Sequence, residues 1–366
     1  MKIKGKKEAL LEGIQSAQIT SPKTTLPILS NILMSAEEEN ELTVIATDLE
    51  LSIKTKFEIE VLEKGSICVP LKKLIEIIRE LVDKEDVLIE VEENNRVVIS
   101  SKDSIFHLFG LPKEDFPLFP EYSQEKSFNL SSTLLKEMIR KTIFATAMDE
   151  IRYVLNGVFF IVKENECRMV ATDGHRLAVI KKTLPGTIGE EQEIIVPTKA
   201  LTEVNRIIPE EQNVQISIDK NKIVFQTNNL IIVSRLIEGK FPDYEKVIPK
   251  EQDKTLKINT QQLFSTSRRV SLMTTNFLLK FDICKNKLKL SSTSELGDAK
   301  EELDVNFSGG DIEICFNPKY LMDILKNIED EEIVILLKTP STAGIVQPLE
   351  EKEGEEYLCV LMPVRT

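Results

Sequence analysis

The amino-acid sequence predicts an α+β protein of three repeated domains, each setting short helices against antiparallel sheets. The first observation behind this is internal repetition. Ala46-Thr47-Asp48-Leu49-Glu50-Leu51 returns as Ala171-Thr172-Asp173-Gly174-His175-Arg176-Leu177-Ala178, Val69-Pro70 as Val196-Pro197, and Phe116-Pro117 as Phe241-Pro242, at offsets of 125, 127 and 125 residues. Phe316-Asn317-Pro318 holds the Val-Pro position of a weaker third copy, 121 residues after Pro197. Three copies at this spacing account for the whole chain. The second observation is that each copy splits into two halves, each reading as one short helix followed by several strands. The third is a division of charge along the same lines.

The helices are placed by apolar spacing and by their starts. The first copy has residues 6–18 and 71–82, the second 131–144 and 198–208, and the third 259–270 and 318–328. Ser132 and Thr198 are the expected N-caps, and Pro318 suits a first helical turn. Between the helices the pattern turns to period two or to short β-branched runs, as in residues 42–46, 87–91 and 214–218. Asn94-Asn95, Asn221-Lys222 and Asn286-Lys287 mark hairpin turns. Polar, charged stretches at Tyr122–Lys126 and Pro249–Lys254 read as linkers, giving domains at 1–123, 124–250 and 251–366.

The chain carries 47 Lys and Arg against 60 Asp and Glu, a net charge of −13. The six helical segments hold fourteen basic and seven acidic residues, which leaves −20 on the rest. Overall attraction to nucleic acid is therefore excluded, but helices facing phosphates and strands facing solvent would produce this split. The plainer alternative, that solvated helices carry Lys and Arg as a matter of course, stays open. No run of about 18 apolar residues suggests a membrane span. The basic N-terminus lacks the apolar stretch of a secretion signal, so a cytoplasmic location is expected. Cys68, Cys167, Cys284, Cys315 and Cys359 form no C-x-x-C pair and read as reduced structural thiols. With His107 and His175 the only histidines, neither a metal nor a cofactor is expected.

Thr172-Asp173-Gly174-His175-Arg176 admits two readings. Asp173 could orient His175 as a general base. Alternatively, Asp173 and Gly174 make a tight turn between strands at 167–172 and 177–182. The copy at Asp48 keeps the aspartate without a histidine, and no nucleophile elbow, phosphate loop or zinc motif accompanies it. Catalytic residues are accordingly not expected.

The segment Ala171–Ala178 resembles the signature of the bacterial DNA polymerase III β subunits, the sliding-clamp family. Arg152-Tyr153-Val154-Leu155-Asn156-Gly157, Phe241-Pro242-Asp243-Tyr244, Leu26-Pro27-Ile28-Leu29 and Leu361-Met362-Pro363-Val364-Arg365 are similar to the family's pattern, in order and from end to end. The resemblance implies three DNA-clamp domains per chain. It also implies a head-to-tail homodimeric ring, with helices lining the hole and sheets outside. Such a ring holds double-stranded DNA by topology, through sequence-blind phosphate contacts. The implied partners are the DNA polymerase III catalytic subunit, the clamp-loader complex, and other polymerases and repair proteins. These insert a Gln-x-x-Leu-Phe-like peptide.

On the matched positions, the resemblance implies a peptide pocket of Leu155, Thr172, Gly174, His175, Arg176, Leu177, Pro242, Val247, Val360, Leu361, Met362, Pro363 and Arg365. Leu155, Leu177, Val360 and Met362 would supply an apolar slot, and Arg176 and Arg365 donors at its rim. Lys23, Lys72, Arg152 and Tyr153 match DNA-contacting positions, whereas Asp149 and Val154 depart from the family's polar and aromatic contacts there. Phe106 and Leu108, with Leu272 and Met273, match the apolar contacts between protomers. Two alternatives remain at this point: a clamp-like paralogue that modulates or blocks the replisome, and an enzyme working through Asp173 and His175.

Overall fold

The computed structural model describes residues 1–19, 26–148, 151–184, 186, 191–350 and 352–364. Among the described residues the fold is α+β, with six α-helices and antiparallel sheets. The helices are α1 (Lys7–Ser16), α2 (Leu71–Glu80), α3 (Ser132–Ile143), α4 (Thr198–Ile207), α5 (Thr260–Val270) and α6 (Pro318–Lys326). Each lies within its predicted segment. Among the described residues no helix is long and apolar enough to cross a membrane.

The expected caps shift by one residue, because strands run straight into helices. Ser132 and Thr198 are already helical; Ser131 Oγ accepts the Leu134 N–H at 3.2 Å, while Thr198 Oγ1 donates to the Asn156 carbonyl at 2.7 Å. In the third copy Asn259 and Asn317 cap in the ordinary way, and Pro318 opens α6. The left-handed residues of the later hairpins are Lys220 and Lys285, one position before the predicted pairs; Asn94 and Asn95 are both left-handed as expected.

The chain divides into two compact units, residues 1–135 with 199–236, and residues 136–198 with 237–366. The first holds a five-stranded sheet and an eight-stranded sheet. In the latter, strand Leu51–Glu58 pairs with Leu230–Arg235, joining the first copy to part of the second. Ile3, Leu10, Ile14, Leu42, Val44, Leu74 and Ile78 are among the fully buried core residues there. Gly13 in mid-α1 has a packing reason: a β-carbon on it would lie 2.3 Å from the Phe57 ring. The linker at 122–126 is strapped down, with the Ser123 N–H donating to Asp219 and the Tyr122 hydroxyl to Gln226.

The second unit repeats the device. Its nine-stranded sheet is joined where Arg176–Thr183 pairs with Glu355–Leu361, in register from Arg176 opposite Leu361 to Lys182 opposite Glu355. A four-stranded sheet and the α5–α6 pair complete it. All five cysteines are free thiols. Burial pushes Cys68 up to about 11 and Cys167 and Cys359 to about 12, which keeps them protonated and inert. Cys284 is exposed beside Asp311.

Candidate peptide-binding site

The Ala-Thr-Asp motif is a hydrogen-bonded turn. Thr172 Oγ1 donates to the Arg176 carbonyl at 2.7 Å and accepts the Gly174 N–H at 3.1 Å. Asp173 Oδ1 accepts the N–H groups of His175 and Arg176 at 2.9 and 3.0 Å. Gly174 takes a φ of +86°, in the left-handed region that favours glycine. The Asp173 carboxylate thus engages the backbone of His175, and the His175 ring stacks on Tyr320 at 5.9 Å between centroids. An Asp–His catalytic pair is not what this geometry builds.

The turn delivers strand Arg176–Thr183, whose Leu177 sits opposite Val360. Leu155, Leu177 and Val360 belong to one buried cluster with Val170, Val179, Phe241 and Tyr244. Phe241 stacks on Phe159 at 4.9 Å, and the Tyr244 hydroxyl accepts from Arg168 at 2.6 Å. These contacts hold the 241–247 segment, from which Pro242 and Val247 emerge exposed. The strand Glu355–Leu361 continues as a docked tail: the Met362 N–H donates to the His175 carbonyl at 2.9 Å, and the Val364 N–H to Cys315 at 2.8 Å. Leu361 is buried, Met362 is 43% exposed and Pro363 is half-buried. Of the predicted pocket residues, the second unit therefore brings Leu155, Leu177 and Val360 into one buried apolar cluster. Exposed Val247 and Met362, an adaptable side chain, remain available to a ligand.

Arg176 differs from its expected rim position. It is 8% exposed and each of its nitrogens is engaged: Nε with Asp173 at 3.1 Å, one terminal nitrogen with Asp323 at 2.7 Å, the other with the Phe144 carbonyl at 2.5 Å. Its guanidinium lies over the Tyr320 and Phe144 rings, 4.6 and 5.4 Å from their centroids. Phe144, Tyr320 and Asp323 are absent from the sequence reading. The one available signal was Asp323, the sole acidic residue of α6.

Arg152 and Tyr153 open a 3₁₀ turn leading to Leu155, and both are exposed. A β-carbon on Gly174 would lie 2.6 Å from an Arg152 guanidinium nitrogen, so the expected DNA contact rests against the expected peptide site. Val154 packs on the buried cluster. In the first unit, Lys72 is exposed on α2, opposite a face that buries Leu74, Ile75, Ile77 and Ile78. Lys23, Asp149 and Arg365 lie outside the described residues. Several helix cations are consumed internally: Lys7 by Asp83, Arg140 by Glu329, Arg206 by Glu203 and Arg269 by Glu301. Lys72, Arg79, Arg268 and Lys319 are exposed and make no ion pair among the described residues.

Phe106 and Leu108 lie on Ser104–Phe109, an edge strand of the five-stranded sheet. Phe106 is exposed, as are Ile105 and Phe109, whereas Leu108 packs partly into the core. In the second unit Leu272 is 80% exposed, and Met273 is half-buried against Gly297.

A repeated fold with a buried apolar cluster beneath a hydrogen-bonded turn, and no Asp–His pair built at that turn, defines a class of accessory protein rather than a hydrolase. Comparison with known proteins gives the family. Models for the N-terminal, central and C-terminal domains of the DNA polymerase III beta subunit match residues 1–120, 129–243 and 245–365. The chain is 35% identical over 362 residues to the beta sliding clamps of Staphylococcus epidermidis and Staphylococcus aureus, with 94% of each chain covered. Among solved structures, the Pseudomonas aeruginosa sliding clamp bound to griselimycin superposes with a TM-score of 0.93 at 31% identity, with both chains fully covered. The Bacillus subtilis clamp gives 0.93 at 28%, covering 100% of this chain and 99% of that one. The chain belongs to the bacterial DNA polymerase III beta subunit family, the beta sliding clamps. It is a non-catalytic subunit of the DNA replication machinery.

Proposed function

We propose that the chain is a cytoplasmic processivity factor: a homodimeric ring of three domains per protomer, bounded at 123/124 and 250/251. The ring encircles duplex DNA and tethers DNA polymerase III and other clamp-binding proteins by their peptides. The observation that carries the tethering is the docked C-terminal strand. It sets Val360 against Leu177 and leaves Met362 exposed at the end of the same strand. Buried apolar floors with adaptable exposed edges suit Leu-Phe anchors. Exposed Phe106 on the edge strand of the five-stranded sheet and exposed Leu272 support self-association. Lys72, Arg79, Arg268 and Lys319, exposed and without an ion pair among the described residues, support phosphate contact without sequence reading.

Fluorescence polarisation of a labelled Gln-Leu-x-Leu-Phe peptide tests the tethering. Saturable binding by the full chain that disappears when residues 362–366 are removed is the expected result; no binding by the full chain rejects the reading. Sedimentation of the full chain tests the ring. A strictly monomeric species at high concentration rejects the dimer.

A further inference from the structure

We propose that Asp323 is a positioning residue of the peptide pocket. By holding the Arg176 guanidinium inward, it keeps positive charge off the pocket mouth and makes the site select apolar anchors over acidic ones. The inference rests on the peptide-binding reading above.

Arginine at position 176 is a liability in an apolar site. It starts the strand that carries Leu177, sits opposite Leu361, and is adjacent in sequence to exposed His175, whose carbonyl holds Met362. A guanidinium on that corner has the reach to enter the mouth, where it would pair with any carboxylate offered and hinder a Leu-Phe side chain. Three groups hold it elsewhere. Asp173 is committed to the turn, with its other oxygen on two backbone N–H groups. The Phe144 carbonyl is backbone. Asp323 is the remaining anchor, from an element 147 residues away, and it makes the shorter of the two carboxylate contacts, 2.7 against 3.1 Å.

Asp323 has little other reason to be there. Aspartate in a helix interior is among the less favourable helix residues, and α6 is otherwise apolar or basic. Aromatic contacts add to the hold: the guanidinium lies 4.6 Å from the Tyr320 centroid and 5.4 Å from that of Phe144, and the Tyr320 ring also stacks with exposed His175. A shift of the guanidinium therefore acts on a ring that touches His175.

The test uses the full chain and two labelled peptides, Gln-Leu-x-Leu-Phe and the same peptide with Asp in place of the second Leu. Asp323→Asn is expected to weaken the apolar peptide about tenfold and to strengthen the acidic one, reversing part of their ratio, whereas Asp323→Glu restores the original ratio. Arg176→Gln and the double variant Arg176→Gln/Asp323→Asn are expected to bind each peptide alike, because Asp323 acts only through Arg176. The double variant also serves if Asp323→Asn alone does not fold, since removing both charges leaves neither uncompensated. An unchanged peptide ratio in Asp323→Asn, or a difference between Arg176→Gln and the double variant, overturns the inference while leaving the pocket intact. No saturable binding by the unaltered chain overturns both the pocket and this inference.

Discussion

Asp48 and Asp173, 125 residues apart, accept the same two backbone hydrogen bonds. Asp48 Oδ1 takes the N–H groups of Glu50 and Leu51 at 3.0 and 2.7 Å; Asp173 Oδ1 takes those of His175 and Arg176 at 2.9 and 3.0 Å. Thr47 and Thr172 repeat each other as well, each accepting from the residue two places on and donating to the carbonyl four places on. In both units the strand that follows this turn makes the antiparallel seam with a later copy. The turns differ in their use. Leu49 stands where Gly174 stands, and Glu50 pairs with Arg235 where His175 holds Met362. The second turn also borders the proposed peptide site.

Gly174→Ala tests what the glycine supplies. At φ +86°, alanine is strained by about 1–3 kcal/mol, and its β-carbon would displace the Arg152 guanidinium. A lower melting temperature together with weaker peptide binding is expected. A variant as stable as the parent would show that the turn tolerates a side chain, as it does at Leu49.

Leu177→Ala and Met362→Ala should separate floor from edge. Leu177 is 2% exposed, so truncation should destabilise the fold by about 2–5 kcal/mol. Met362 is exposed, and its loss should change stability by no more than about 0.5 kcal/mol while abolishing most peptide affinity. Denaturant titrations paired with polarisation measurements distinguish the two; equal effects of both variants on stability would contradict the assignment.

Stability should fall at both extremes of pH through one buried ion network. Lys141, 1% exposed, donates to Glu137 at 2.7 Å and to Glu355 at 2.5 Å, and Lys182 pairs with both carboxylates. Burial works against the charge on Glu137 and Glu355, but hydrogen bonds from the two lysines outweigh it and hold both below 4.5. Burial also opposes the Lys141 charge, and its two carboxylate partners leave it above 10.5. The lowered carboxylates contribute stability that is present above 4.5 and lost as pH falls through their folded values; the raised lysine contributes stability present below 10.5 and lost as pH rises beyond it. Glu355→Gln should cost about 3–5 kcal/mol at neutral pH and flatten the acid limb of the melting curve. An acid limb unchanged in that variant would assign acid sensitivity to other carboxylates.

Lys72→Ala and Arg268→Ala should each weaken duplex binding equally across sequences and reduce the slope of log affinity against log salt by about 1. Arg269→Ala serves as the contrast, because Glu301 already neutralises that side chain. A larger salt effect from Arg269 than from Arg268 would contradict the division of helix cations into free and consumed.

The chain alone determined the repeat, the six helical segments, several strands and the turn at Asp173. These depend on short-range patterns: period 3.6 against period 2, Asx turns and glycine at positive φ. Through family resemblance it also named Leu155, Leu177 and Val360, which the fold gathers into one buried cluster. Tertiary structure decided what those residues do. Arg176 reads as a rim donor until Asp323, 147 residues away, and the Phe144 carbonyl are seen to hold it inward. Lys141 is only one of the helix cations in the sequence; its partner Glu355 lies 214 residues away. Phe106 and Leu108 read alike, and only packing separates the exposed ring from the partly buried leucine. The physical reason is common to all three. Charge compensation and burial are set by strands and helices paired across long stretches of chain, and no local periodicity encodes which distant partner arrives.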